Sequence, residues 1–454
     1  MDDLLIARSQ MALSLGFHII FAAVGIGMPV LMVVAEALGW RTGDRTYDVL
    51  ARRWAKGVAI MFAVGAVSGT VLSFELGLLW PHFMEYAGPI IGMPFSMEGF
   101  AFFLEAIFLG IYLYGWERIP KALHIFSGVM VALCGTMSGV FVVATNAWMN
   151  TPQPWGYTLD EAGNVDTIDP ITAMFNPMFP SQALHMTVAA FLGLAIAVAA
   201  IHAWGLLKDP ESAFHRRAFG IAVVFAAITG VIMPATGHLA GEAVAHYQPV
   251  KLAAMEAHWE TEAGASFIIG GIPDEEDEVT RYAIHVPYLL SVLAEMDPNA
   301  TVEGLRDFPV DERPPVSVVH YSFQLMIAIG TWLAALGAFV LGWLAIKRQV
   351  PRMKWLLWAV LVSGPMGMLA IEAGWVVTEV GRQPWIVQGL MRTADAVTPM
   401  PHLLAPFVSF AVLYLMLGVV CVGLLRRLVL QSPTNDELQE MGIPVDPPEV
   451  ADAA

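Results

Sequence analysis

Nine long apolar stretches divide this sequence, and they constrain its fold more than any other feature. A helix needs about 20 mostly apolar residues to cross the hydrocarbon core of a bilayer. The stretches lie near residues 14–38, 55–79, 95–116, 123–148, 183–207, 217–240, 320–345, 355–379 and 402–425. Only 14% of the 454 residues are charged, against about 25% in soluble domains. The sequence therefore predicts an all-α integral membrane protein with about nine transmembrane helices.

The distribution of lysine and arginine predicts how these helices are oriented. The second connection (80–94) and the fourth (149–182) contain neither residue. The positive charges gather in the odd-numbered connections and after the last stretch: Arg41, Arg45, Arg52, Arg53, Lys56, Arg118, Lys121, Lys208, Arg216, Arg217, Lys347, Arg348, Arg352, Lys354, Arg426 and Arg427. Because cytoplasmic loops are enriched in lysine and arginine, the N-terminus is predicted to lie outside and the C-terminus in the cytoplasm.

Four regions follow from this topology. Residues 1–240 hold the first six helices, 241–319 form a long extracytoplasmic loop, 320–430 hold the last three helices, and 431–454 are predicted to be a flexible cytoplasmic tail. A loop as long as 241–319 is usually functional or disordered. The formal net charge is −17, with the acids gathered in loops and tail. No basic patch indicates a nucleic-acid partner.

The positions of the two cysteines limit which cofactors and cross-links the chain can hold. Cys134 and Cys421 are far apart, both lie in apolar stretches, and no C-x-x-C-H motif occurs. The spacing excludes a disulfide framework, a c-type heme and thiolate-bound iron–sulfur clusters within this chain.

Ionisable and coordinating side chains inside the stretches point instead to bound hemes. A charged group in lipid is costly and is usually functional. The predicted topology brings four potential iron ligands from four helices to one layer near the outer side: His18, His185, Met326 and Glu379. A His–Met pair fills both axial positions of a heme and makes it an electron carrier, whereas a single ligand leaves a position open for oxygen.

Other charged residues fit the same chemistry. Arg8 and Arg382 lie near that layer on the side poor in positive charge, where heme propionates would pair with them. Glu98 and Glu105 are seven residues apart, so they share one helix face about 10 Å apart along the axis. Such a ladder of carboxyl groups suits proton delivery, which oxygen reduction requires.

Each of these residues also has a structural interpretation. A single histidine near a helix end is usually a hydrogen-bonded interface residue, Met326 alone is typical of packing, and Lys251 with Glu256 would by default be a solvated loop pair. Intramembrane glutamates also serve transporters. A proton-coupled transporter is therefore the alternative from another class, although inverted repeats and broken helices, which transporters usually have, are not apparent.

Five segments in order change this balance. Gly381-Arg382-Gln383-Pro384-Trp385, preceded by Glu372-Ala373-Gly374-Trp375 and Glu379, resembles the signature of subunit I of cytochrome bd-type quinol oxidases. The other matching segments are Met97-Glu98-Gly99, Phe102-Phe103-Leu104-Glu105, Asn146-Ala147-Trp148-Met149 and Lys251-Leu252-Ala253-Ala254-Met255-Glu256. The resemblance covers nearly the whole chain. Heme–copper oxidases need histidine clusters and diheme cytochromes b need spaced histidine pairs, and neither pattern occurs here.

The resemblance implies a role for each candidate residue. His185 and Met326 match the axial ligands of a low-spin heme b. His18 and Glu379 match the ligands of a high-spin heme b and a heme d, or a further heme b, in an order that stays open. The remaining matches are Lys251 and Glu256 for quinol in the loop called the Q-loop, Glu98, Glu105 and Ser138 for the proton route, and Arg8 and Arg382 for the propionates.

The implied protein is the heme-carrying catalytic subunit of a terminal oxidase in a bacterial or archaeal cytoplasmic membrane. It would oxidise quinol, reduce O2 to water and contribute to the proton-motive force without proton pumping. The family implies a second integral subunit and often a small single-span one.

The sequence departs from the family pattern at three places. Gln324 stands where many members have arginine, the Glu98-to-Glu105 spacing is one residue shorter than in some members, and the Q-loop is of the short type. The segment Ser73-Phe74-Glu75-Leu76-Gly77-Leu78-Leu79-Trp80-Pro81 resembles the cyanide-insensitive branch, some of which carry only b-type heme.

Overall fold

The computed structural model describes residues 3–159, 165–431 and 433. Within these residues nine helices are long and apolar enough to cross a membrane. They are α1 (Asp3–Thr42), α2 (Thr46–Leu79), α3 (Pro81–Tyr114), α4 (Lys121–Asn150), α6 (Phe179–Lys208), α7 (Ala213–Tyr247), α10 (Val316–Lys347), α11 (Lys354–Val380) and α13 (Leu404–Leu428). The predicted fold class is confirmed, while the predicted tail lies outside the described residues beyond 433.

The long helices form two four-helix bundles. In the first bundle α1 packs against α2 and α4, and α3 packs against α2 and α4. In the second, α6 packs against α7 and α11, and α10 packs against the same two helices. Helices α6 and α10 therefore occupy opposite corners, as do α7 and α11. The bundles join where α6 meets α1 and α4, and α13 lies against α1 and α2.

The helices extend beyond the apolar stretches at several ends. The predicted connection 80–94 is wrong as a loop, because α3 begins at Pro81 and only Trp80 separates it from α2. Proline at the first position of a helix loses no intrahelical hydrogen bond and has a suitable φ. Hydropathy also misses the last turns of α7, which continues to Tyr247.

The connections carry short elements outside the bundles. The short helices are α5 (Pro170–Met174), α8 (Pro249–Glu256), α9 (Leu289–Glu295) and α12 (Thr393–Ala396), with 3-10 turns at Leu305–Asp307 and Val310–Glu312. The strands are β1 (Tyr157–Leu159), β2 (Val165–Ile168), β3 (Glu262–Ala263), β4 (Phe267–Ile269), β5 (Ile272–Asp274), β6 (Val279–Arg281), β7 (Ile284–Val286), β8 (Thr301–Val302), β9 (Trp385–Val387) and β10 (Met391–Arg392).

The strands form two-stranded antiparallel pairs: β1 with β2, β3 with β8, β4 with β7, β5 with β6, and β9 with β10. The long connection between α7 and α10 is therefore folded. Helix α8 opens it and is packed against α10 by Ala253, Ala254 and Met255, which are buried together with Val319 and Phe323. This packing fixes the Q-loop segment against the second bundle.

Candidate functional site

The second bundle holds His185 and Met326 on its diagonal helices, α6 and α10. Each side chain lies against a glycine of a neighbouring helix. A Cβ atom on Gly237 would lie 3.4 Å from His185 Cε1, and one on Gly374 would lie 3.1 Å from Met326 Sδ. The His185 Nδ1 atom is 3.3 Å from Thr236 Oγ1, which leaves Nε2 to coordinate a metal. A histidine and a methionine on opposite helices of one bundle suit a heme with both axial positions filled by protein.

The first bundle holds His18 in a similar cradle. A Cβ atom on Gly69 of α2 would lie 3.0 Å from His18 Cε1. The Nδ1 atom of His18 is 2.9 Å from Ser68 Oγ, and such a bond at one ring nitrogen orients the other for a metal. The described contacts of His18 at Ser68 and Gly69 are both with α2.

Glu379 lies at the seam between the two bundles. It is the penultimate residue of α11, and Asn146 of α4 donates a short hydrogen bond to its Oε1. Arg382 Nη2 lies 2.5 Å from its Oε2. The Arg382 side chain is buried, and its Nε and Nη1 atoms have no partner among the described residues. Two unpaired guanidinium donors in a buried place fit the propionates of a heme.

Arg8 is half-buried in α1. It forms no ion pair with any residue in the described part of the chain, so it is also free to bind an anionic group. The structure does not bring Arg8 and Arg382 into contact.

The predicted common layer of the four ligands stays a prediction. Counted from the ends that the topology puts outside, Glu379 is at the end of its helix, and His185, Met326 and His18 lie about 9, 15 and 22 Å inside theirs. The helices extend unequally beyond the apolar stretches, so distance from a helix end does not measure depth. Helix α1 in particular packs its first turns, through Ile6 and Ala7, against the outer loops.

The acidic ladder lies inside the first bundle. Ser138 Oγ of α4 donates to Glu98 Oε1 of α3 at 3.1 Å. Glu105 is 4% exposed, and its Oε1 would lie 3.3 Å from a Cβ on Gly135 and 3.8 Å from one on Gly25. The structure therefore places all three predicted proton-route residues between α3, α4 and α1, with Glu98 and Ser138 in direct contact.

Lys251 and Glu256 lie in different surroundings, although both belong to α8. The Lys251 Nζ atom donates to Asn150 Oδ1 at 2.5 Å and to Gln248 Oε1 at 2.8 Å. Burial and the nearby Arg382 guanidinium lower the pKa of Lys251 well below its usual value, and Glu379 opposes that shift. Lys251 thus faces the end of α11, beside the Glu379 seam.

Glu256 faces β4 of the long connection instead. It is 1% exposed, and its Oε2 accepts a hydrogen bond from Ile268 N of β4 at 3.2 Å. Burial raises the pKa of Glu256 to about 8, and the Ile268 bond partly opposes the shift. Residues five apart in a helix are separated by about 140°, so the two predicted quinol residues do not meet.

The structure adds two residues of α10 that the motifs did not identify as functional. His320 Nδ1 is 2.9 Å from Met255 O, and its Nε2 is 2.9 Å from Gly270 O. Gln324 donates from Nε2 to Ile268 O at 2.8 Å and accepts at Oε1 from Gly270 N at 3.0 Å. A polar pair four residues apart on an otherwise apolar helix was the available signal, because such residues share one face.

A cavity of about 230 Å³ lies beside Glu256. It is lined by Ala257 and Ile268, which flank that carboxyl group, and by polar residues that include His258, Glu262, Glu278 and His285. His258 is 5% exposed, and its Nε2 has no partner among the described residues. The cavity therefore brings titratable groups together within the connection between α7 and α10.

Glu75 is buried and Glu372 is half-buried, and neither is among the predicted site residues. Gln10 Nε2 donates to Glu75 Oε1 at 2.9 Å, within α1 and α2. A Cβ on Gly16 of α1 would lie 3.4 Å from Glu372 Oε2, so this residue of α11 faces the first bundle.

Comparisons with known proteins agree on one family. Residues 6–433 match the family described as cytochrome bd terminal oxidase subunit I. The putative cytochrome bd menaquinol oxidase subunit I of Bacillus subtilis (strain 168) is 34% identical, over 96% of this chain and 99% of that protein. The cytochrome bd ubiquinol oxidase subunit 1 of the same organism is 31% identical, over 98% of each chain. The structure of bd oxidase from Geobacillus thermodenitrificans matches with a TM-score of 0.89 and 41% identity, over 95% of this chain and 99% of that chain.

The fold and site thus define a multi-pass membrane subunit built to hold hemes. The chain belongs to the cytochrome bd terminal oxidase subunit I family. This confirms the predicted family, the membrane location and the class of enzyme, a terminal quinol oxidase acting as quinol:O2 oxidoreductase. Family membership also implies bound hemes and a second subunit. The orientation of the termini and the cyanide-insensitive branch stay predictions.

Proposed function

We propose that this chain binds three hemes and that His185 and Met326 are the axial ligands of a low-spin heme b. His18 and Glu379 each hold one high-spin heme, of which one is a heme b and the other a heme d or a further heme b. The observation that carries this assignment is the diagonal placement of His185 and Met326, each against a glycine whose Cβ would fill the space. When bound, the hemes supply the path for electrons and the iron at which oxygen is reduced.

Arg382 and Arg8 hold the propionates in this proposal. The unpaired Nε and Nη1 atoms of Arg382 support it, because buried donors without an acceptor are costly and an anionic group would satisfy them. Asn146 and Arg382 also fix the Glu379 carboxylate from two sides. The Glu379 side chain is thereby oriented before a metal binds.

Glu256 accepts protons from quinol in the Q-loop. A carboxyl group whose pKa is about 8 is half-ionised near that pH and can take and release a proton at little cost. The cavity lined by His258 and Glu262 gives the released protons an aqueous outlet. Lys251 contributes through Asn150 and the Glu379 seam rather than by contact with Glu256.

Glu98, Ser138 and Glu105 carry protons towards the oxygen site from the cytoplasmic side. Glu105 is buried, and Glu98 and Ser138 are half-buried, between helices of the first bundle, which supports this role, because protons need titratable or hydroxyl groups where little water enters. Proton release outside and uptake inside would build a proton-motive force without a pump. The second integral subunit, and a small single-span one, complete the enzyme, and the substrate is a ubiquinol or a menaquinol.

The test is a dithionite-reduced minus air-oxidised visible spectrum of the purified complex. We expect b-type bands, with a further red-shifted band if one high-spin site holds heme d. Only b-type bands would support three b hemes and the cyanide-insensitive branch. Folded protein without heme bands would contradict the proposal and favour the transporter alternative.

A further inference from the structure

Two side chains of α10 hold one short segment of the Q-loop. His320 and Gln324 are four residues apart, so they present one face to residues 268–270. Gln324 binds Ile268 O and Gly270 N, and His320 binds Gly270 O. His320 also reaches Met255 O, next to Glu256. Three of these four contacts fall on two residues of the segment, and the fourth reaches the end of α8.

The chemistry of Gln324 matches this segment in a way that arginine would not. An amide side chain offers one acceptor and two donors, whereas a guanidinium has five donors and no acceptor. At this position the amide donates to a carbonyl and accepts from a backbone N–H. An arginine could keep the bond to Ile268 O but would leave Gly270 N without its partner.

The segment is also what binds the Glu256 carboxyl group. Gln324 binds the carbonyl oxygen of Ile268. The N–H of the same residue donates to Glu256 Oε2 at 3.2 Å. Ile268 is 4% exposed and Glu256 is 1% exposed, so both groups of this bond are shielded from bulk solvent. The position of Ile268 therefore decides whether the carboxylate has a donor.

We propose that His320 and Gln324 form a latch that positions residues 268–270, and through the Ile268 N–H the Glu256 carboxyl group, for quinol oxidation. The inference rests on the proposed function, because it assigns positioning residues to the same quinol site. His320 and Gln324 are positioning residues, since they act through Ile268 and do not themselves touch Glu256.

The titratable groups around Glu256 do not supply an alternative explanation of its environment. His258 lies two residues after Glu256, just beyond α8, with its ring bound to Val302, and Lys251 of α8 faces the Glu379 seam. Glu262 and Glu278 line the neighbouring cavity. On β7, the exposed His285 pairs with Ile268 across the two-stranded sheet. On α10, His320 binds the neighbouring Met255 carbonyl. The Ile268 N–H is the one group that favours the ionised form of Glu256 through a direct hydrogen bond.

The experiment compares variants of the purified holo-complex, using a soluble short-chain quinol and oxygen consumption. Gln324→Leu removes both bonds, Gln324→Arg keeps the donor only, and an ionised Gln324→Glu keeps the acceptor only. Leu325→Ala is the control, because Leu325 is the next residue of the same helix and is 40% exposed. Since Gln324 is two residues from Met326, the reduced heme spectrum of each variant must first equal that of the wild type.

We expect Gln324→Leu to raise the KM for quinol by about 5- to 30-fold, as loss of a buried pair of hydrogen bonds implies. The KM of Gln324→Arg and of Gln324→Glu, which each keep one bond, should lie between that of Gln324→Leu and that of the wild type. The KM of Leu325→Ala should match the wild type. The pH of half-maximal quinol oxidation should move upwards in Gln324→Leu, because losing the Ile268 bond removes an interaction that lowers the pKa of Glu256. A purely structural defect would lower kcat or heme content without moving that midpoint.

A second readout does not depend on quinol. Trypsin cleavage after Arg281, beside Tyr282 which is 89% exposed, should be faster in Gln324→Leu, because β5–β6 follows the latched segment. An unchanged KM, pH midpoint and cleavage rate in Gln324→Leu would overturn the latch. A wild-type complex without quinol oxidation would contradict the proposed function instead, and the cleavage rate alone would then decide the latch.

Discussion

The two bundles have the same four-helix plan but different interiors. The second bundle holds His185 and Met326 on diagonally opposite helices, α6 and α10. The first bundle holds His18 on α1 and the acidic residues Glu75 on α2 and Glu98 and Glu105 on α3. Even the carboxyl groups of α11 face the seam or the first bundle, since Glu379 meets Asn146 of α4.

This difference indicates how one fold separates two tasks. A site with both axial positions filled by protein carries electrons and excludes oxygen, and it needs no proton supply. A site with an open position reduces oxygen and needs protons. In the proposed assignment the single-ligand His18 and the carboxyl groups of Glu75, Glu98 and Glu105 belong to the same bundle.

The largest expected effect comes from removing one member of the diagonal pair. His185→Ala or Met326→Leu should abolish the low-spin heme bands, because a heme with one axial ligand is no longer six-coordinate. His18→Ala should leave those bands in place and remove a high-spin heme. Reduced-minus-oxidised spectra check both, with His82→Ala as control, since His82 is 52% exposed in its side chain. If His18→Ala removed the low-spin bands and His185→Ala did not, the assignment of the bundles would be reversed.

The helices could be predicted from the sequence where neighbouring residues alone indicate them. Nine helices followed from hydropathy because every spanning helix needs its own apolar stretch. The start of α3 at Pro81 did not follow from hydropathy. Residues 81–94 contain three prolines and precede the apolar stretch, although they are already helical. Hydropathy reports contact with lipid, whereas a helix continues wherever protein packs around it.

The site residues also differ in how far the sequence could predict them. His185 and Met326 were recognisable as ligands by residue type and motif, but the glycines facing them become visible only when helices pack. Lys251 and Glu256 were predicted together because they share one motif. Their separation follows from α8, which places residues five apart on different faces, and the loop interpretation of this segment concealed it. Gln324 was noted as a departure, yet its partners at Ile268 and Gly270 are 56 and 54 residues away in sequence.

A smaller effect should follow from changing the acids of the first bundle. Glu105→Gln should lower oxygen reduction by about 100-fold, because it removes a buried proton carrier, while the heme spectrum stays unchanged. Ser138→Ala should cost a few-fold at most, since it removes one hydrogen bond to Glu98. Oxygen consumption with an artificial reductant measures both, and Glu117→Gln, at a side chain 82% exposed, is the control. Full activity of Glu105→Gln would remove this bundle from the proton route.

Glu256 and Lys251 of α8 should differ in what their loss changes, and this pair extends the comparison to the Q-loop. Glu256→Gln should lower the rate of quinol oxidation about tenfold, as loss of a charged hydrogen-bonding group implies. In the wild type the rate should rise with pH and be half-maximal near pH 8, because Glu256, with a pKa of about 8, accepts a proton only when ionised. The variant should lack this rise.

Lys251→Met should act elsewhere. Lys251 faces Asn150 and lies near Glu379, so its loss should change the spectrum of the high-spin heme at Glu379. The KM for quinol should stay within about twofold of the wild type, the range in which a lost contact is below about 0.5 kcal/mol. Steady-state kinetics and reduced spectra of the two variants measure the difference. A large increase in KM with an unchanged spectrum in Lys251→Met would place the lysine at the quinol instead, and it would imply that α8 turns both residues towards the substrate when quinol binds.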